Sequence, residues 1–191
     1  MKTIFIDFDG TLIDVSEKYY AIYKELMESA GKEVLDKHSY WNLKRKKTII
    51  REILAKTGAE DFADEYSKQR IPLLEDPEYL KKDILFEYTI KKLKELKEKN
   101  RLVLVTLRRN TENAVKQLKD LELYELFDKI LIGYEDIPDT WMTKVDLIRD
   151  IEEFSKDSVL IGDTEADIKA AKELGIKSIG VLSGIRDKEM L

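Results

Sequence analysis

The stretch Ile4-Phe5-Ile6-Asp7-Phe8-Asp9-Gly10-Thr11-Leu12 is a short apolar run that ends in two acids one residue apart, followed at once by a glycine. From Thr3 to Phe8 the residues are β-prone, and they are apolar at odd and even positions up to Ile6. A strand with that pattern is buried on both faces, as strands of a parallel sheet are. Asp9-Gly10 then breaks the strand with turn chemistry.

Downstream, the texture changes at Asp14. Val15, Tyr19, Ile22, Leu26 and Ala30 fall at helical spacing, with Ser16 as the expected N-cap and Gly31 as the stop. A second helix is expected from Ser39 to Thr57, a third from Glu60 to Leu74 disturbed near Pro72, and a short one after Pro77. No strand pattern appears between Asp14 and Asp83, so this segment is expected to be an all-helical insertion. Beyond it, helices over 86–99, 111–121, 144–154 and 165–174 alternate with strands over 101–106, 129–133, 158–162 and 177–182. That alternation predicts an α/β fold, a Rossmann-like parallel sheet covered by helices on both faces. Residues 1–13 and 84–191 would form this core domain, and 14–83 an inserted helical cap.

Composition narrows the function classes. The chain has 191 residues, 43% of them apolar, enough for a sizeable core. Its net charge of -5 argues against nucleic acid as a partner, because phosphate backbones select basic surfaces. There is no cysteine, so disulfides, thiolate metal sites and cysteine nucleophiles are excluded, and the single histidine, His38, leaves no parts for a His-rich metal site. The apolar run at the start is too short for a signal peptide, and no window reaches the ~20 apolar residues of a membrane span. A cytoplasmic protein without membrane contact is expected, as a monomer or a weak homodimer.

In open α/β sheets, ligands bind beyond the carboxyl ends of the strands. The first strand runs into Asp7, Asp9, Gly10 and Thr11, the next ends in Thr106, and the strand over 158–162 leads to Asp163, with Asp167 one helical turn on. Three or four carboxylates would converge on one locus. Like charges that close destabilise one another unless a cation sits among them, and oxygen ligands without His or Cys point to Mg2+. Such an ion, held partly by substrate phosphate, is the usual arrangement for phosphoryl transfer. Lys144, the one lysine between Lys129 and Lys156, would complete the charge balance.

These residues carry a family likeness. Asp7-Phe8-Asp9-Gly10-Thr11-Leu12 resembles the first motif of the haloacid-dehalogenase-like (HAD) hydrolases, and Val-Leu-Val-Thr at 103–106 resembles the second. Lys144 fits the third by position. Ile161-Gly162-Asp163-Thr164-Glu165-Ala166-Asp167, followed by Ala170-Ala171 and Gly175, resembles the fourth. The helical insertion is similar in kind to the cap of the phosphoglycolate-phosphatase-like branch. The resemblance implies a phosphatase working through an aspartyl-phosphate on Asp7, with Asp9 as general acid and then base. It implies that Thr106 and Lys144 hold the phosphoryl oxygens, with Gly10 and Thr11 shaping the loop beside them. Metal binding would fall to Asp7, Asp9 (through its carbonyl), Asp163 and Asp167, the last also orienting Lys144.

An acid at position 9 suits an alkoxide leaving group and not a halide, so phosphate chemistry is expected. The chain departs from the family at Leu107-Arg108-Arg109-Asn110 and at Val145. Arg108 is a candidate for an anionic substrate. A phosphomutase similar to β-phosphoglucomutase is the alternative, disfavoured by Gly162 where those relatives often have Glu. A phospho-accepting signalling domain is a further alternative, disfavoured by the insertion after the first strand. The expected partner is a small phosphorylated metabolite enclosed by the cap. Tyr19, Tyr20, Tyr23, His38, Trp41 and the basic run Lys44-Arg45-Lys46-Lys47 are the cap residues open to a specificity role, with most of the tyrosines expected in the cap core and the basic run on a solvated helix face.

Overall fold

The computed structural model describes residues 2–134, 140–151 and 154–191. Five parallel strands form one sheet: β1 (Lys2–Ile6), β4 (Asn100–Leu107), β5 (Lys129–Gly133), β6 (Val159–Gly162) and β7 (Lys177–Gly180), in the order β5-β4-β1-β6-β7. Alternate residues of the central strands feed two cores. Ile4, Ile6, Leu102 and Leu104 pack against Leu93 and Leu118 on one face. Phe5, Val103, Val105 and Leu160 pack against Val145, Ile148, Ala170 and Ala171 on the other. The helices are α6 (Thr89–Lys97) and α7 (Thr111–Asp120) for the first face, α8 (Trp141–Arg149) and α9 (Glu165–Leu174) for the second. The apolar character of β1 on both faces thus has its physical cause in a sheet covered twice over. The strand order also reverses direction at β1, which has β4 on one side and β6 on the other. A crevice opens at such a switch point, where loops leave the sheet in opposite directions.

Between β1 and β4 the chain builds a helical segment: α1 (Ser16–Ser29), α2 (Lys37–Arg45), α3 (Ile50–Ala55), α4 (Ala63–Leu73) and α5 (Pro77–Leu80). These helices share a core of their own, centred on Ile22, Tyr23, Met27, Tyr40, Ile53, Leu54 and Tyr66. Tyr23 and Tyr40 stack with ring centroids 4.3 Å apart. The segment is tied to the sheet by a two-residue ribbon, β2 (Ile13–Asp14) antiparallel to β3 (Ile84–Leu85). Thr89 Oγ1 donates to the Leu12 carbonyl at 3.1 Å beside it.

The structure corrects several expectations. The helix expected over 39–57 is two helices, because Lys47 adopts a left-handed conformation (φ 57) and Ile49 is extended. A short strand does touch the insertion at Asp14, in a ribbon too brief to leave a periodicity. Helix α1 is met by the Asp14 side chain, which accepts from the Ser16 amide at 2.8 Å, and not by a Ser16 cap. Lys144 lies within α8, which begins at Trp141 and ends at Arg149; Glu152 and Glu153 of the helix expected over 144–154 lie outside the described residues. No helix among the described residues is long and apolar enough to cross a membrane.

Candidate active site

A cavity of about 550 Å³ opens at the carboxyl ends of β1, β4 and β6, floored by the sheet and roofed by α1 and α4. Asp7, Asp9, Thr106, Arg108, Lys144 and Asp163 all line it. Its size is that of a small-molecule site. The turn that delivers Asp7 and Asp9 is tight: the amides of Leu12 and Thr11 donate to the Phe8 carbonyl at 2.9 and 3.3 Å, and Gly10 N donates to Ile13 O at 2.9 Å. Gly10 has φ +74, and a Cβ there would lie 2.3 Å from Asp163 Oδ2, so both conformation and space require glycine. Ser183 Oγ donates to the Gly10 carbonyl at 2.8 Å, pinning the turn from the far end of the chain. Thr11 Oγ1 is enclosed with no protein partner, and Thr106 is buried.

On the floor, Asp7, Asp163 and Asp167 are buried, with one oxygen of each within 4.8 Å of the others. Lys144 Nζ reaches Asp7 Oδ1 at 2.8 Å and Asp167 Oδ1 at 2.5 Å. The other Asp167 oxygen accepts from the amide and hydroxyl of Thr164 at 3.1 and 2.7 Å, so both of its oxygens are engaged by protein. Asp163 differs: Oδ2 accepts from the Ile185 amide at 2.6 Å, while Oδ1 is enclosed with no partner. Three carboxylates share one ammonium here. Burial, with the nearby charges of Asp167 and Asp163, pushes the Asp7 carboxyl well above its ordinary range despite Lys144. Burial likewise raises Asp163 to about 6. Lys144 is held firmly protonated, since Asp167 and Asp7 outweigh its burial. A small hard dication fits this site: the donors are all oxygen, the negative charge is under-compensated, and Asp163 Oδ1 is a buried acceptor awaiting a partner.

Asp9 stands apart from that cluster. Arg108 grips it with Nε and Nη2, each at 2.7 Å, and Lys18 Nζ lies 3.4 Å away. Burial alone would raise the Asp9 carboxyl, but Arg108 and then Lys18 bring it down to about 2. The grip extends inward. Lys18 also pairs with Asp83 at 2.7 Å, Gln117 donates to Asp83 at 2.8 Å, and Arg108 Nη2 donates to Gln117 Oε1 at 3.2 Å. Lys18 comes from the first turn of α1 and Asp83 from just before β3, so the network spans both crossings into the helical segment. The Arg108 atoms that meet Asp9 are therefore already engaged. Sequence reasoning missed Lys18, Asp83 and Gln117. A signal existed for Lys18, which sits one turn before Ile22 and two before Leu26 on the inward stripe of α1.

The residues of the helical segment divide. Tyr23 and Tyr40 are fully buried in its core, whereas Tyr19 lines the cavity. His38 is exposed and pairs with Asn42 at 2.9 Å, away from the cavity lining. Trp41 packs near Tyr19, with ring centroids 6.1 Å apart. The basic run is not a uniform solvated face. Lys44 lies over the Tyr19 ring at 5.3 Å, Arg45 donates to the carbonyls of Leu182 and Arg186 at 2.8 and 3.1 Å, and Lys47 pairs with Glu165 at 2.6 Å. Opposite them Glu75 accepts from the amides of Arg109 and Asn110 at 2.7 and 2.5 Å. The helical segment is thus clasped to the sheet on two sides of the cavity.

Comparison with known proteins adds the family. A family described as haloacid dehalogenase-like hydrolase matches residues 4–181. A phosphoglycolate phosphatase of Aquifex aeolicus is 29% identical over 192 residues, covering 96% of this chain and 86% of that protein. A Caldanaerobacter subterraneus protein assigned as the pyrophosphatase PpaX is 26% identical over 208 residues, covering 100% of this chain and 86% of that one. Among solved structures, a haloacid dehalogenase-like family hydrolase from Streptococcus pneumoniae superimposes with a TM-score of 0.77 at 22% identity, covering 100% of this chain and 89% of that one.

Proposed function

The chain belongs to the haloacid dehalogenase-like hydrolases, and from that membership we propose that it is a Mg2+-dependent phosphatase that passes the phosphoryl group of a small phosphomonoester to Asp7 and then to water. The observation that carries this reading is the floor of the cavity, where Asp7 meets Lys144 at 2.8 Å beside the unpartnered Oδ1 of Asp163. Asp7 is the nucleophile, and Lys144 aims its carboxylate while balancing the charge of the arriving phosphoryl oxygens. Thr106 offers a hydroxyl to the same oxygens, and the Gly10–Thr11 turn closes the pocket around them. Asp9 delivers a proton to the leaving oxygen and later takes one from the attacking water. Asp7, Asp163 and the Asp9 carbonyl would hold Mg2+, which supplies positive charge against the phosphoryl group. Asp167, with both oxygens engaged, orients Lys144 and serves the metal only indirectly. Arg108 positions Asp9.

The phosphatase names of the Aquifex and Caldanaerobacter relatives support hydrolysis. So does Gly162, which stands where β-phosphoglucomutase-like sequences often carry Glu: a Cβ there would lie 2.1 Å from Asp167 Cγ, so the residue that orients Lys144 leaves no room for a side chain. Residues 14–83 are read as a cap that swings on the crossings around β2 and β3, excludes water between the two steps and selects the substrate. The test is a panel of small phosphomonoesters assayed for phosphate release with Mg2+ and with excess chelator. Release that depends on Mg2+ supports the reading; undiminished release in chelator contradicts it.

A further inference from the structure

Nearly every charge around the cavity has an opposite charge beside it. Lys144 is matched by Asp7 and Asp167, Arg108 by Asp9, Lys18 by Asp83, and Arg186 by Glu165 at 2.7 Å. Glu75 is taken by two backbone amides. The roof departs from this rule. Arg70, on α4, lines the cavity with its Nε enclosed and without a hydrogen-bond partner, and no carboxylate of the described residues pairs with it. Lys44, on α2, stands behind the roof and outside the cavity lining, half-buried against the ring of the lining residue Tyr19, and no carboxylate of the described residues pairs with it. Burial, then the repulsion of Arg70 and Arg186, brings the Lys44 ammonium down to about 7. A cation in the roof and another behind its aromatic ring, in half-dry surroundings and with no carboxylate of the described residues to pair with, are what a protein presents to an anion that arrives with its ligand.

We propose that Arg70 and Lys44, flanking Tyr19, form a seat for a second anionic group, so that the preferred substrate is a small phosphomonoester carrying a carboxylate or a further phosphate on its leaving group. The inference rests on the phosphatase reading for its phosphoryl end, which docks on the floor at Asp7. A cavity of about 550 Å³ holds both ends of such a molecule, with Asp9 poised between them at the leaving oxygen. A neutral leaving group leaves the roof cations unmatched; an anionic one matches them.

The test compares three esters of similar reach: hydroxyethyl phosphate, with a neutral end; carboxymethyl phosphate; and ethylene bisphosphate. We expect kcat/KM for at least one anionic ester to exceed that of the neutral one by about tenfold or more, the scale of one charge-assisted hydrogen bond. Whichever anionic ester is favoured identifies the group. Arg70→Gln should bring the ratio to within about threefold, Lys44→Met should lower it less, and Arg70→Lys should keep part of it. A wild-type ratio near one, or an Arg70→Gln variant that lowers all three rates equally, overturns the proposal. Should none of the esters be hydrolysed, the phosphatase reading fails, and the seat is judged separately. The same esters are then titrated against Asp7→Asn and Asp7→Asn/Arg70→Gln proteins with Mg2+. Tighter binding of an anionic ester that the Arg70 change erases supports the seat, and equal binding of all three contradicts it.

Discussion

The floor and the roof of the cavity are built on opposite electrostatic plans. On the floor, Asp7, Asp163 and Asp167 share the single ammonium of Lys144, and one buried Asp163 oxygen has no partner. On the roof and just behind it, Arg70 and Lys44 pair with no carboxylate of the described residues. Among the described residues the floor is short of positive charge, and the cations of the roof are short of negative charge. In the proposed function a metal cation would answer the first deficit, and the far end of an anionic substrate the second. The contrast teaches that chemistry and selectivity are assigned to different parts of the chain. The floor comes from strand ends of the sheet, and the roof comes from helices inserted after β1.

The sharpest way to break the contrast is at Lys144. Lys144→Met leaves Asp7 and Asp167 facing each other uncompensated. We expect phosphatase activity to fall by about 10³-fold or more, and stability by roughly 3–5 kcal/mol, the cost of stranding buried charges. Steady-state kinetics and denaturant melts measure the two separately. A variant as active as the wild type would remove Lys144 from the floor's charge balance.

The Asp9 grip gives the next effect. Arg108→Gln removes the larger of the two cationic influences that hold Asp9 near 2, so the Asp9 carboxyl should rise toward the ordinary carboxylate range. Because Asp9 must be protonated in the phosphoryl-transfer step that kcat/KM reports, the basic limb of that profile should move to higher pH, while loss of the two-point grip that aims the acid lowers the maximum by about tenfold. An unmoved limb would mean that Arg108 does not set the charge of Asp9.

The alternation of strands and helices made the sheet legible from the sequence, because buried parallel strands cannot hide an apolar run such as Leu102–Val105. The meeting of Asp7, Asp9, Thr106 and Asp163 was legible for the same reason, since parallel strands bring their carboxyl ends to one edge. The partners across sequence distance were not. Arg108 to Asp9, Lys18 to Asp83 and Ser183 to Gly10 are separated by 99, 65 and 173 residues, and no local pattern marks them. The split at Lys47 was equally hidden, because a left-handed lysine carries no sequence signal of the kind a glycine gives. The basic run at 44–47 looked like a solvated face because periodicity records which side of a helix is polar, and not what that side meets.

A smaller effect is expected in stability against pH. With the metal removed, the folded Asp163 carboxyl sits near 6, above its unfolded value. The folded state then binds the extra proton, so stability falls as pH rises through about 4 to 6 and stays low above that window. Mg2+ should therefore raise the melting temperature more at pH 7.5 than at pH 5. An equal shift at both values would detach Asp163 from the metal.

The smallest effect lies on the roof. Lys44→Met exchanges a half-buried, unpaired ammonium for an apolar chain of similar length. In the absence of substrate it should stabilise the protein slightly, by about 1 kcal/mol or 2–4 °C in melting temperature. A destabilised variant would show that Lys44 has a favourable role in the fold, and would weaken the distinction between floor and roof.

The central claim is that the floor carries the phosphoryl group on Asp7. Rapid acid quench during turnover with Mg2+, followed by peptide mass spectrometry, tests it most directly. The account predicts a phosphoryl group on the Asp7 side chain, absent when Mg2+ is chelated and absent in Asp7→Asn, which should also lose turnover. Continued turnover by Asp7→Asn, or a phosphoryl group trapped on any other residue, would contradict it.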